Sequence, residues 1–133
     1  MAGSLPPLQL RNVTRGTVVA PRVHAGDSFW SRFLGLMGRD ALDPEEGLWL
    51  PSVNNIHMFF MRFAIDACFV GAPAEDGTRA VVEVREALPP WRGIVWYARG
   101  ARGVVELAAG TLARSGTRVG DRVVLARPDG PPG

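Results

Sequence analysis

The sequence predicts an α+β fold: a single β-rich domain whose mainly antiparallel sheet is curled or barrel-like, with two short helices. Three observations lead there. The chain has 133 residues, 47% hydrophobic and 21% charged, which suits one domain around one core. About six to eight short segments carry the strand signals of alternation and β-branched residues. These segments do not alternate regularly with helices, which disfavours a parallel α/β sheet and favours antiparallel pairing.

The elements follow in order. Residues 1–7 and 128–133 are rich in proline and glycine and are expected to fray, leaving residues 8–127 as the globular domain. "LQLRNV" (Leu8 to Val13) alternates as a strand. "GTVVAPRV" (Gly16 to Val23) is a second strand, in which Pro21 implies an edge or a bend. "GDSFWSRFLGLMGRD" is the clearest helix: Asp27 caps its free amides, Phe29, Trp30, Phe33, Leu34, Leu36 and Met37 share one side, and Gly38 stops it. "EEGLWLPSV" is a short strand or extended turn, and Thr78 to Leu88 is a strand by its β-branched alternation. "ALPPWRG" is a turn. Arg102 to Gly110 is a strand that leads into a short helix, "GTLARSG", and Gly120 to Arg127 closes the chain as the last strand.

Composition narrows the function classes. No run of roughly 20 apolar residues exists, so no membrane-spanning helix is expected. The N-terminus lacks a basic start followed by an apolar run, and a cytoplasmic location is the expectation. The lone Cys68 rules out an internal disulfide and a four-cysteine zinc site, and it suits a small buried hydrophobe. All 15 basic residues are arginine, scattered along the chain, and the formal charge is only +2. That balance disfavours nucleic acid as a partner, although the isoelectric point near 9.5 keeps a weak nucleic-acid binder as one alternative.

The segment "IHMFFMRFAIDACFV" (Ile56 to Val70) is the most apolar in the chain and yet holds His57, Arg62 and Asp66. As one strand it would put His57 on one face and Arg62 and Asp66 on the other. Those two would stand roughly 13 Å apart, too far to pair unless the chain bends between them. A buried charge needs a partner. Each therefore serves either an internal ion pair or backbone bond, or a cleft that meets a ligand. His57 is either a neutral structural histidine or a proton-exchanging ligand contact. No metal is expected, because His24 is the only other histidine and no ligand spacing recurs. No cofactor motif is present either: GxGxxG, GxSxG, HExxH and the phosphate loop are all missing. Trp91, in "LPPWRG", is either a core tryptophan in a rigid turn or a stacking rim. Gly110 opens a short helix whose amides could hold an anion.

The combination "RFLGLMGRD…GLWL…IHMFFMRFAIDACFV…VVELAAGT…GD" resembles the prokaryotic family known as domain of unknown function 192. The likeness runs from the helix at Asp27 to the last strand. It implies a compact β-rich domain and no assigned activity. The family-like positions are Arg32, Gly35, Met37, Arg39, His57, Met61, Arg62, Ile65, Asp66, Glu106, Gly110 and Asp121. The family pattern usually has proline where this chain has Ala64, which fits a bend at that point.

The leading expectation is a small-molecule-binding domain for an anionic ligand, extending to an enzyme. Arg32 and Arg62 would supply charge, His57 a hydrogen bond or proton, Gly110 amides, Asp66 orientation of Arg62, and Trp91 a stacking edge. The alternative is a non-enzymatic interaction or accessory module with structural ion pairs and a flat contact patch near Trp49 or Trp96. The oligomeric state is left open by the sequence.

Overall fold

The computed structural model describes residues 6–25, 42–57 and 62–128. Nine strands and one short helix lie within them: β1 (Leu8–Asn12), β2 (Thr17–His24), β3 (Glu46–Pro51), β4 (Ile56–His57), β5 (Ile65–Val70), β6 (Arg79–Leu88), β7 (Ile94–Val95), β8 (Gly103–Ala108), α1 (Thr111–Ser115) and β9 (Arg122–Ala126). The helix expected from Asp27 to Gly38 and most of both termini lie outside the described residues.

Seven strands close into a barrel in the order β1-β2-β3-β8-β5-β6-β9. Closure comes from β9, which pairs with β1 on one side and β6 on the other. It leaves no open sheet edge. Every ladder is antiparallel except β2 with β3, which is parallel. A parallel neighbour needs a long connection, and 21 residues of chain separate His24 from Glu46. Of the α+β expectation with two helices, the barrel-like, mainly antiparallel sheet and the short helix at Thr111 are found, and the other helix lies outside the described residues. The described residues are mostly β, with a closed mixed barrel and a single five-residue helix. Pro21 marks a bend rather than an edge, because β2 has a neighbour on each side and the β1–β2 register shifts beside it. A residue without an N–H fits such an irregularity.

The apolar stretch that looked like one long strand is two. β4 ends at His57 and pairs with β7 in a separate two-stranded sheet, whereas β5 begins at Ile65 inside the barrel. The chain bends at Arg62 and Phe63, just before Ala64. Every residue of β5 and β8 is buried. Alternation explains this. Cys68, Val70, Val105 and Leu107 face inward to a core shared with Leu10, Val19, Val23, Trp49, Val81, Val123 and Leu125. Ile65, Ala67, Phe69 and Val104 face outward, onto a second core with Leu48, Ile56, Phe63, Leu88 and Val95. Both faces of these strands are covered, so their sequences read as continuous apolar runs.

The inner core is tight around Trp49, whose ring packs under the guanidinium of Arg79 at 5.0 Å. A Cβ added to Gly103 would stand 2.2 Å from that indole. Trp49 is thus an interior residue, and the expectation of a contact patch around it is corrected. Gly103→Ala should destabilise the protein by about 1–3 kcal/mol in urea unfolding, since the buried ring has no room to move aside. A loss below about 0.5 kcal/mol would show the packing to be looser than described.

Candidate functional site

Asp66 is fully buried on the inward face of β5. Its two oxygens are satisfied by main-chain amides. Oδ1 accepts from Ala87 N–H at 2.8 Å, and Oδ2 accepts from Gly110 N–H at 3.1 Å and Leu112 N–H at 2.9 Å. Ala87 and Gly110 both have left-handed backbone, with φ of 52° and 96°. One carboxylate therefore holds the end of β6, the turn after β8 and the start of α1, which carries Leu112 into the barrel core. The structure brings Asp66 and Gly110 together, and the amides expected to face a ligand face Asp66.

A second buried network ties the other end of the α1 segment. Asn12 Nδ2 donates to Thr117 Oγ1 at 3.1 Å and to Asp121 Oδ2 at 2.9 Å, and Arg15 Nε donates to the same oxygen at 3.0 Å. Desolvation pushes the Asp121 carboxyl up, but the bonds from Arg15, Asn12 and the Arg118 amide outweigh it and hold it below its ordinary value. Burial, with a smaller contribution from the Asp121 charge, pushes the Cys68 thiol up to about 12, so it is not a nucleophile at neutral pH.

The outer face of the barrel differs. His24, Glu46 and Glu106 are all buried there. His24 and Glu106 each stand beside Leu48 in register, on β2 and β8 respectively. Two strand spacings put their backbones roughly 10 Å apart. Glu46, two residues before Leu48, is a diagonal neighbour of Glu106 across the β3–β8 ladder, about 7–8 Å away. The imidazole Nε2 of His24 lies 3.1 Å from Glu46 Oε2. Glu106 is 7% exposed, and burial pushes its carboxyl from an ordinary 4.5 up to about 7. Among the described residues, no group of three His, Cys, Asp or Glu is placed to hold a metal ion.

The remaining expected residues are placed as follows. Arg32 lies outside the described residues. His57 contributes backbone to β4, opposite Ile94. Arg62 is exposed in the bend before β5, whereas Asp66 is fully buried. Trp91 is 57% exposed in the turn after β6, not a core tryptophan. Sequence reasoning passed over Glu106 as a site residue. The available signal was the one that flagged Asp66, an acid inside an apolar run. The His24–Glu46 pair had no local signal, because its members are 22 residues apart and meet only through the parallel β2–β3 ladder.

Over residues 11–125 the chain matches the sequence profile of domain of unknown function 192, described as an uncharacterised ACR. It is 35% identical over 118 residues to a UPF0127 protein of Thermococcus sibiricus, covering 86% of this chain and 72% of that relative. To a UPF0127 protein of Pyrococcus furiosus it is 37% identical over 118 residues, covering 84% and 93%. Two solved structures share the fold at 24% identity. One is a candidate transcription regulator from Sinorhizobium meliloti (TM-score 0.66, 94% of this chain and 97% of that one). The other is a protein of unknown function from Novosphingobium aromaticivorans (TM-score 0.63, 88% and 82%). No helix among the described residues is long and apolar enough to cross a membrane.

Asp66 and Glu106 make opposite predictions. Asp66→Asn points an amide donor at backbone donors and should cost about 2–4 kcal/mol, measured by chemical unfolding near neutral pH. A cost under about 1 kcal/mol would mean that the amides have other partners. Glu106 has a raised folded-state value, so its contribution to stability is complete below about 4.5 and is lost as pH rises through about 7. Relative to Glu106→Gln, the wild-type protein should lose roughly 3 kcal/mol across that window. Parallel stability curves for the two proteins would refute the burial argument.

Proposed function

The chain belongs to the domain of unknown function 192 family, and we propose that it binds a small anionic molecule on the outer barrel face beside Glu106. The observation that carries this reading is the Glu106 carboxyl itself: 7% exposed on the outer face of β8, on the same wall as the buried His24–Glu46 pair, and pushed by burial up to about 7. Acids with strongly perturbed titration concentrate at functional sites.

A neutral carboxylic acid is a hydrogen-bond donor in a dry setting. It suits a carboxylate, phosphate or carbonyl oxygen, much as a protonated acid serves in an oxyanion hole. An acid whose value lies near neutrality is also fitted to give and take a proton, which extends the reading to acid–base catalysis. The His24–Glu46 pair lies on the same wall and would set the polarity of the neighbouring surface. Asp66, Gly110 and Cys68 take no part, because the first two bond each other and the thiol is buried and protonated.

A screen of small carboxylates and phosphates by thermal shift and ligand-observed NMR tests the reading. Binding should be about tenfold tighter near pH 6 than near pH 8, should survive in part in Glu106→Gln, and should vanish in Glu106→Ala. Binding that ignores both pH and Glu106, or no binding by any member of the set, would overturn it.

A further inference from the structure

The stretch from Ala87 to Val105 contains no acidic residue and three arginines, Arg92, Arg99 and Arg102, all exposed. The same stretch holds the largest exposed aromatic surface of the described residues. Trp96 is 80% exposed, Tyr97 63% and Trp91 57%. Large exposed apolar groups rimmed by charge mark interaction surfaces.

The segment is held firmly. Val95 and Ala98 are buried. Ala98 N–H donates to Asn54 O at 2.7 Å, Arg102 N–H to Val70 O at 2.7 Å, and Gly93 N–H to Pro89 O at 2.9 Å. The backbone is therefore anchored while its aromatic side chains project outward. Trp91 has a φ of 67°, an outlier for a bulky residue.

Trp91 sits in the turn before β7, and Trp96 and Tyr97 sit just after it. The five-residue step from Trp91 to Trp96 spans at most about 17 Å. Each turn pairs aromatic rings with an arginine close in sequence, Arg92 beside Trp91 and Arg99 two residues beyond Tyr97. We propose that this strip is a binding surface for single-stranded nucleic acid, with the rings stacking on bases and the arginines meeting phosphates. Stacking faces alternating with cationic forks suit a linear polyanion that carries π-faces. A bilayer would be met better by one protruding tip than by two turns on either side of a bridge. The segment packs through Val95 and Ala98 onto the outer core that also holds Leu48 and Ala67, the neighbours of Glu106, but the inference does not depend on the ligand reading.

Fluorescence anisotropy with labelled oligothymidylate and oligouridylate of about twelve nucleotides tests this on the full chain. Binding should occur at low salt and weaken about a hundredfold for a tenfold rise in salt, as three phosphate contacts to a single strand require. Trp96→Ala and Arg99→Ala should each weaken it, Trp96→Ala by roughly tenfold. Both positions are exposed, and unchanged circular dichroism and melting temperature confirm the fold. Failure to bind either oligonucleotide at low salt would overturn the proposal. So would binding by both variants as tight as that of the wild type, or binding to anionic phospholipid vesicles without binding to the oligonucleotides.

Discussion

A charge in the most apolar part of a chain is tolerable only when its surroundings replace the water it has lost. Asp66 meets that condition with three main-chain amides from two distant segments, at Ala87 and at Gly110 and Leu112. Through these bonds β5 sets the left-handed turn that ends β6, the left-handed glycine after β8 and the entry of α1. With α1 so placed, Leu112 enters the inner core, and the segment beyond it reaches the Asn12–Asp121 network. Much of the barrel's architecture therefore depends on one carboxylate and on amides that no regular ladder would satisfy.

Glu106 lies on the strand next to Asp66 and shares its hydrophobic setting, but its fate is opposite. Asp66 faces inward toward turns that offer N–H groups, while Glu106 faces outward among side chains such as Leu48 and Ala67, which offer none. The first carboxylate is consumed by the fold. The second is held protonated toward neutrality by burial. This contrast, rather than the presence of acids in apolar strands, separates a structural acid from a candidate functional one.

Much of the architecture was legible in the sequence. The strands at Leu8, Thr17, Glu46, Arg79, Gly103 and Arg122 and the short helix at Thr111 follow from alternation, β-branched residues and glycine stops. The long run from Ile56 to Val70 was harder. Both faces of β5 are buried, so alternation could not show where one strand ended and another began. The site was less legible still. His24 and Glu46 meet through a parallel ladder that spans a 22-residue separation, and no local spacing encodes that. The exposure of Trp91 and Trp96 was equally hidden, since tryptophan in a proline-flanked turn suits a core as well as a rim.

Local chemistry was thus enough to set the β-rich character, the turn positions, the family and the singularity of Asp66, because each depends on residues near one another in the chain. Tertiary structure decided the closure of the barrel, the bend before Ala64, the direction each buried acid faces and the outward projection of the aromatic strip. Those depend on which strands lie side by side. That is a property of long-range pairing, and pairing settles whether a buried acid meets an amide or an apolar wall.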